Sequence, residues 1–507
     1  MPDPAAPPTM LGADVCGRAL AARDARFDGV FFVGITTTGI YCRPVCPARV
    51  SYPDRRRFFP SAAAAERDGF RPCLRCRPEL APGRALVDAV PRVARAAALR
   101  IAAGALNGRE VAQLARELGV GERQLRRAME RELGVSPVEL AQTHRLLLAK
   151  CLLTDTALPV TRVAFASGFQ SLRRFNTVFH ERYRMSPSGL RRHSRIPARS
   201  ELPGVPGGDL VRLTLAYRAP LAWDELLGRL AADAVPGVEL VDRRRYGRTV
   251  FLNGCRGVVL VENAGAVPGA DRPRRTVPSA HVNVNLSASL LPVLMPLLVR
   301  IRHLLDLDAE PAAIDAHLAE GGLAALVAQR PGLRIPGAFD GFEVAVGELL
   351  APSRRARATT SALAARVAHA LGEPIETGIP GLTRLGLTAG RVAAAGASLL
   401  SRLGVPPRRS EAIVAVARAV ADGRLRLEPG ADVPSTLHAL REITGCGERA
   451  SMAVVMRALH WPDAFPATDS SLQRAAGATG SRALLRLAER WRPWRAYAAA
   501  HLSLGRG

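Results

Sequence analysis

The sequence predicts a multidomain, mainly α-helical protein in which two of the modules combine helices with strands. Three observations lead to this prediction. The chain has 507 residues, which is too long for one hydrophobic core and indicates three or four domains. Pro/Gly-rich joints interrupt it near residue 83, over 196–208 and at 331–337. Apolar residues recur at helical spacing in most segments, whereas over 209–260 short apolar runs alternate with turns, as strands do.

The predicted domain boundaries follow these joints. We expect a small metal-bound α+β module over 1–83, an all-α module over 86–195, a linker over 196–208, an α+β sheet domain over 209–330 and an all-α domain over 331–507.

Charge and cysteine usage limit the function classes. The formal net charge of +25 and pI of about 11.2 favour a nucleic-acid partner. Lys150 is the only lysine, and an arginine- and alanine-rich composition is also typical of a GC-rich genome, so we use the sign of the charge and not its size.

The N-terminus lacks the apolar core of a signal peptide, and no apolar run reaches about 18 residues, so we expect no membrane partner. Four scattered cysteines show no paired framework, which fits a reducing cytoplasm. They are Cys16, Cys151, Cys255 and Cys446.

The other four cysteines form two close pairs. Their spacing, Cys42-x3-Cys46-x26-Cys73-x2-Cys76, matches a tetrahedral, all-cysteine Zn²⁺ site. Zinc holds cysteine sulfur as the thiolate, which is its nucleophilic form. From the spacing alone, an ordinary structural zinc ribbon remains the alternative. Arginines crowd both pairs, so we expect a polyanion to face the metal. The arginines expected near a phosphate backbone are Arg43, Arg49, Arg71 and Arg75.

The segments around the two pairs, TTGIYCRPVCPAR and GFRPCLRCRP, resemble the zinc domain of the Ada family of bacterial alkylation-response proteins. The match runs nearly without interruption from Phe31 to Pro78. It implies that Cys42 accepts a methyl group from a DNA methyl phosphotriester, while the other three cysteines complete the zinc site. It also implies a switch, because a neutral thioether repels phosphate less than a thiolate and specific DNA binding should become tighter.

Two helix-turn-helix patterns lie within 86–195. In the first, apolar residues at helical spacing from Val111 precede Gly119 and a second helix; in the second, apolar residues from Val160 precede Gly168 and a second helix. A recognition helix presents Arg and Asn outward, because these side chains pair with base edges in the major groove. The outward residues here are Arg123, Arg126 and Arg127 in the first pattern, and Arg173, Asn176 and Thr177 in the second.

For either pattern alone, a helical bundle with a solvated arginine face is the alternative. The string from Gly168-Phe169 through Phe175-Asn176 to Ser186-Pro187 resembles the AraC-type DNA-binding domain, which carries two such motifs on one module. This resemblance implies a transcription activator that binds double-stranded DNA. RNA polymerase is then the expected protein partner.

The C-terminal domain contains a short hairpin signal. Gly445 and Gly447 bracket one residue, which allows a tight turn whose N–H groups point at a DNA phosphate. The segments FPATD and WRPWRAY follow, and this order resembles the helix-hairpin-helix glycosylases of the AlkA type, which act on 3-methyladenine in DNA. The resemblance implies that Asp469 stabilises an oxocarbenium-like sugar while a flipped base leaves. From the residue alone, a helix N-cap remains the alternative for Asp469.

Two further observations bear on this domain. The chain after Cys151 contains no lysine, which excludes strand cleavage through a lysine Schiff base here and favours simple base excision. Arg449, Ser503 and Leu504 stand where the glycosylase family commonly has aromatics, and the stretch 350–355 matches its wedge turn without an evident wedge. The alternative function is therefore a methylation-switched activator with a non-catalytic glycosylase fold. We expect a monomer.

Overall fold

A computed structural model describes residues 11–49, 51–83, 92–192, 210–265, 280–351, 357–445 and 447–505. Across these ranges the chain is mainly helical, with one small sheet near the N-terminus and one larger sheet in the middle. The predicted fold class is confirmed. The predicted linker over 196–208 lies outside the described residues.

The N-terminal module is a four-stranded sheet with two helices. Its strands are β1 (Phe32–Ile35), β2 (Ile40–Cys42), β3 (Arg56–Phe59) and β4 (Arg71–Pro72), and its helices are α1 (Ala13–Ala22) and α2 (Ala62–Arg67). The order is β3-β1-β2-β4; β1 pairs antiparallel with β2 and β3, whereas β2 and β4 run parallel. Because parallel neighbours end at the same edge of a sheet, β2 and β4 deliver the two cysteine pairs to one place.

Over residues 92–192, the described part of the second module, the chain forms seven helices. They are α3 (Arg92–Ala102), α4 (Val111–Glu117), α5 (Glu122–Leu133), α6 (Pro137–Asp155), α7 (Val160–Ala166), α8 (Leu172–Tyr183) and α9 (Pro187–Arg192). Gly119 after α4 has φ +70° and Gly168 after α7 has φ +91°, a conformation that glycine adopts without a steric penalty. Ser136 and Glu139 form a capping box that starts α6, the helix between the two motifs.

The sheet domain contains five antiparallel strands in the order β5-β9-β8-β7-β6. The strands are β5 (Leu210–Ala216), β6 (Glu239–Val241), β7 (Arg245–Leu252), β8 (Cys255–Asn263) and β9 (His281–Ser287), and helices α10 (Trp223–Asp233) and α11 (Leu294–Leu304) accompany them. The middle of β8 is an unbroken buried run rather than an alternation, because both faces of the sheet are covered.

The remaining helices form the C-terminal region. They are α12 (Pro311–Leu318), α13 (Ala324–Gln329), α14 (Gly341–Leu350), α15 (Arg357–Leu371), α16 (Ala389–Arg402), α17 (Pro407–Ala421), α18 (Val433–Thr444), α19 (Glu448–Ala458), α20 (Ser470–Ala475), α21 (Ser481–Ala488) and α22 (Arg495–Leu504). One core lies among α14 to α19. A second core joins α12 and α13 to α20, α21 and α22, so helices from both sides of residue 331 share it.

Hydrophobic cores also cross the other predicted boundaries. Phe70 of the N-terminal module shares a core with Ile101 and Met129 of the second module. Phe175 of α8 belongs to the same core as Leu290, which follows β9. The modules are therefore packed against one another through apolar surface and not only joined in sequence. In the described part of the chain, no helix combines the length and the apolar character that a membrane span requires.

Candidate functional site

The metal centre lies where β2 and β4 end. The sulfur atoms of Cys42, Cys46, Cys73 and Cys76 all lie within 4.8 Å of one another, and all four side chains are buried. Sulfurs at the corners of a zinc tetrahedron with bonds of about 2.3 Å are about 3.8 Å apart, so this donor set fits Zn²⁺. The parallel pairing of Tyr41 with Pro72 places the cysteine after each of them at the same edge.

The cluster depends on a cation for its charge state. Hydrogen bonding with the neighbouring thiols, followed by burial, raises the pKa of Cys42 above its ordinary value of 9.0 when no cation is present. Four thiolates so close together repel one another, and a divalent cation relieves that repulsion.

Backbone N–H groups distinguish Cys42 from the other ligands. The N–H of Arg43 donates to Cys76 Sγ at 3.4 Å, and the N–H of Arg75 donates to Cys73 Sγ at 3.3 Å. The N–H of Ala48 forms a hydrogen bond with Cys46. Within the described part of the chain, the backbone N–H groups that donate to sulfur thus fall on Cys46, Cys73 and Cys76. These bonds withdraw negative charge from a sulfur, so the thiolate without one is the strongest nucleophile of the four.

Access favours the same sulfur only slightly. Cys42 is 9% exposed, compared with 7% for Cys73, 5% for Cys46 and 2% for Cys76, so the four ligands differ only slightly in exposure. The order of exposure and the placement of the N–H donors are both compatible with Cys42, the ligand that the sequence resemblance names as the methyl acceptor.

The four arginines predicted to face DNA occupy different places. Arg49 and Arg75 are exposed, and Arg71 is half-buried. Arg43 is 4% exposed, and its guanidinium donates from Nε to Asp28 Oδ1 at 2.8 Å and from Nη1 to the Cys76 carbonyl at 3.0 Å. The guanidinium donors of Arg43 thus point into the protein. We therefore leave Arg43 out of the proposed phosphate contacts and infer that it stabilises the loop that carries the metal ligands.

The two helix-turn-helix motifs present the predicted faces. In α5 the core residues Leu125 and Met129 are fully buried, and in α8 the core residues Phe175 and Phe179 are fully buried. The opposite faces are exposed, and they carry all six predicted base-contacting residues: Arg123, Arg126, Arg127, Arg173, Asn176 and Thr177. Local contacts on these faces are weak, such as the exposed Arg126–Glu122 pair at 2.9 Å, so the side chains are available to a ligand.

The predicted hairpin joins α18 to α19. Gly445 caps α18 with φ +58°, and its N–H donates to the Arg441 carbonyl at 2.9 Å. Gly447 is the N-cap of α19, and no side chain caps this helix start. A helix start whose N-cap residue has no side chain leaves its first N–H groups to other acceptors, as expected at a phosphate-binding helix start. Residue 446 between the two glycines lies outside the described residues.

Asp469 lies at the start of α20. It is 7% exposed, and its Oδ1 accepts a hydrogen bond from the N–H of Ser471 at 2.8 Å. The carboxylate is thus a helix N-cap in this structure, which was the alternative interpretation from sequence. The cap engages one of the two carboxylate oxygens, so the geometry is also compatible with the catalytic role.

The positions that depart from the glycosylase family have their own contacts. Arg449 lies in the first turn of α19, with Nη1 at 3.5 Å from Glu348 Oε2, and Ser503 donates to the Ala499 carbonyl at 2.6 Å. Residues 352–355 of the predicted wedge stretch 350–355 lie outside the described residues.

Buried polar residues between modules were missed by the sequence reasoning. Glu66 follows four alanines in α2, and it is 1% exposed at the boundary with α6 and α8. An acidic residue that directly follows four alanines is the one signal that could have drawn attention to it.

Comparison with protein families divides the chain in the same order. The metal-binding domain of Ada matches residues 15–79, a helix-turn-helix domain matches 114–193, and the AlkA N-terminal domain matches 212–340. The first match, together with the four-cysteine cluster, identifies the metal centre as a zinc site.

Curated relatives extend these matches. The probable bifunctional transcriptional activator/DNA repair enzyme AlkA of Mycobacterium tuberculosis is 38% identical over 492 residues, which cover 96% of this chain and 95% of that protein. DNA-3-methyladenine glycosylase 2 of Escherichia coli is 35% identical over 57% of this chain and 95% of its own length. The bifunctional transcriptional activator/DNA repair enzyme Ada of Escherichia coli is 44% identical over 14% of this chain and 21% of its own length.

Proposed function

The chain belongs to the family of bifunctional transcriptional activator/DNA repair enzymes of the AlkA type, and we propose that it repairs alkylated DNA and activates transcription in response to the damage. The observation that carries this proposal is the buried four-cysteine cluster, in which the described backbone N–H donors lie on the three cysteines other than Cys42. Repair and transcription activation both require access to DNA, which favours action in the cytoplasm.

The first proposed activity is methyl transfer to Cys42. When bound, zinc keeps the four cysteines as thiolates at neutral pH. The Cys42 sulfur attacks the methyl carbon of a DNA methyl phosphotriester; the S–C bond forms, the methyl C–O bond breaks, and the electron pair stays on oxygen as a phosphodiester anion. Cys42 becomes a neutral thioether, and each protein molecule accepts one methyl group. Arg49, Arg71 and Arg75 are the proposed phosphate contacts.

The second proposed activity is regulated DNA binding. The exposed faces of α5 and α8 read bases in successive major grooves, and loss of one negative charge at Cys42 strengthens binding to the phosphate backbone nearby. We propose RNA polymerase as the protein partner of the bound activator, and a monomer as the active form.

The third proposed activity is excision of alkylated bases such as 3-methyladenine. Asp469 faces the positive charge that develops on the sugar, and the N–H groups at Gly445 and Gly447 hold a phosphate beside the lesion. The domain leaves the strand intact, because it has no lysine to form a Schiff base.

A second candidate function is supported by one pair of observations. Asp469 is engaged as a helix cap, and the cation of Arg449 replaces an aromatic that suits a positively charged base. In this alternative the C-terminal domain binds DNA without efficient excision. Release of methylated base from DNA separates the two candidates.

Peptide mass mapping tests whether Cys42 is the methyl acceptor. After incubation with duplex DNA that bears methyl phosphotriesters, we expect one added methyl group on the peptide containing Cys42. A Cys42→Ser variant should accept none, and Cys16→Ser is the control because Cys16 is a buried cysteine outside the cluster. A methyl group on any other cysteine would show that the acceptor is misassigned.

A further inference from the structure

A buried carboxylate connects the zinc module to the second recognition helix. Glu66 lies in α2, where its helix neighbours Ala62 to Ala65 are also buried. It is 1% exposed, so the carboxylate has left water and depends on protein groups for its hydrogen bonds.

Three elements supply those groups. Tyr41 Oη donates to Glu66 Oε1 at 3.0 Å, and Thr143 Oγ1 of α6 donates to Oε2 at 2.8 Å. Arg182, in the last turn of α8, has its Nε 3.8 Å from Oε2, and its guanidinium also donates to the Glu66 backbone carbonyl. Both carboxylate oxygens are thus engaged, one by the zinc module and one by the helix-turn-helix module.

Each partner is tied to a functional element. Tyr41 directly precedes the ligand Cys42, and its carbonyl accepts from the N–H of Cys73, so its backbone bridges the two cysteine pairs. Arg182 belongs to the helix whose exposed face carries Arg173 and Asn176. One side chain therefore stands between the metal loop and a base-reading helix.

Buried polar contacts restrict an interface more than apolar packing does. Apolar surfaces tolerate small rotations, whereas a carboxylate with partners on three elements is satisfied in one arrangement and leaves buried donors unpaired in others. The rest of this interface is also polar in part: Arg77 of the zinc module pairs with Asp155 of α6 at 2.8 Å.

We propose that Glu66 is a positioning residue that fixes the zinc module on α8, so that the methyl acceptor and the second recognition helix engage one DNA molecule as a unit. This inference rests on the proposed function, in which methylation of Cys42 changes specific DNA binding. Without the contact, the two modules bind DNA as tethered but separate units. Methylation of Cys42 then raises the affinity for the specific DNA site by a smaller factor.

The test compares wild type with Glu66→Gln, both as the full chain; the substitution keeps the shape of the side chain and replaces one acceptor oxygen by an amide donor. Arg182→Gln removes the same contact from the α8 side. Asp68→Asn is the matched control, because Asp68 is an acid beside the same helix whose ion pairs, to Arg57 and Arg67, stay within the zinc module.

Three quantities are measured for each variant: bound zinc, the rate of methyl transfer from phosphotriester DNA, and the ratio of specific-site affinities after and before methylation. We expect zinc and methyl transfer to stay within about twofold in all variants. The affinity ratio should fall from about tenfold to about twofold in Glu66→Gln and Arg182→Gln, and remain at the wild-type value in Asp68→Asn.

Hydrogen exchange of the amides in α6 and α8 provides a second measurement, which does not depend on the switch. Faster exchange at this interface in Glu66→Gln, with zinc retained, supports the positioning role. Unchanged exchange overturns it, and so does a full affinity ratio in Glu66→Gln. If wild type itself gains no affinity on methylation, the proposed switch fails, and the exchange measurement alone decides the role of Glu66.

Discussion

Replacing Asp469 by asparagine removes a negative charge from the proposed glycosylase site while it keeps the helix cap. Asp469 Oδ1 accepts from the N–H of Ser471 at 2.8 Å, and an asparagine side-chain oxygen can accept the same bond. Asn and Asp rank equally as N-caps, so the free energy of unfolding should change by less than about 0.5 kcal/mol. Asp469→Ala loses the cap and should cost about 1 kcal/mol.

The expected effect on the rate is much larger. Asp469 is 7% exposed, so little water screens its charge from a positive charge that develops beside it. Loss of one preorganised electrostatic group of this kind lowers a rate by about 10²–10³, or roughly 2.7–4 kcal/mol of transition-state stabilisation. We expect Asp469→Asn to lose this much in the excision step while its affinity for DNA is nearly unchanged.

The assay is single-turnover release of 3-methyladenine from methylated duplex DNA, with thermal unfolding and DNA binding measured on the same samples. Asp340→Asn is the matched control, because Asp340 caps α14 and its Oδ1 also accepts from the residue two positions on, at 2.8 Å. The control should keep the wild-type rate. Equal release by wild type and Asp469→Asn would refute the catalytic assignment and leave the non-catalytic candidate in its place.

Three further outcomes are expected. The combined substitution Cys73→Ala and Cys76→Ala should abolish zinc binding and unfold the N-terminal module locally; zinc retained by metal analysis would contradict the four-cysteine site. Asn176→Ala should cost about 1–3 kcal/mol of binding at one base pair and Arg173→Ala the same at another, measured across a set of mutated sites; a uniform loss on all sequences would mean contact with phosphate only. Burial raises the pKa of Glu343 from its ordinary 4.5 to about 7 although Arg248 opposes the shift. A group whose pKa is raised on folding stabilises the protein fully below pH 4.5 and loses that contribution as the pH rises through 7. The free energy of unfolding of Glu343→Gln relative to wild type, measured by chemical denaturation, should therefore increase from pH 5 to pH 8. A difference independent of pH would contradict the buried state of this carboxyl.

Much of the fold and the site could be predicted because the relevant signals are local in sequence. Zinc ligation needs two close cysteine pairs, and the spacing from Cys42 to Cys76 shows them directly. Helical apolar periodicity ending at Gly119 and at Gly168 indicates both helix-turn-helix motifs, because the turn requires the positive φ that these glycines adopt. The four zinc ligands, the helix-turn-helix module and the order of the modules along the chain could therefore be predicted from the sequence itself.

Tertiary structure decided which side of the protein each group faces. Arg43 and Arg75 look alike beside their cysteines, yet Arg43 turns inward to Asp28 while Arg75 stays exposed. Spacing did not reveal that the described N–H donors lie on Cys46, Cys73 and Cys76, since these donors come from loops folded around the cluster. Glu66 acquires its role from Thr143 and Arg182, which are distant in sequence. Burial and pairing of this kind depend on long-range packing, which no local pattern encodes.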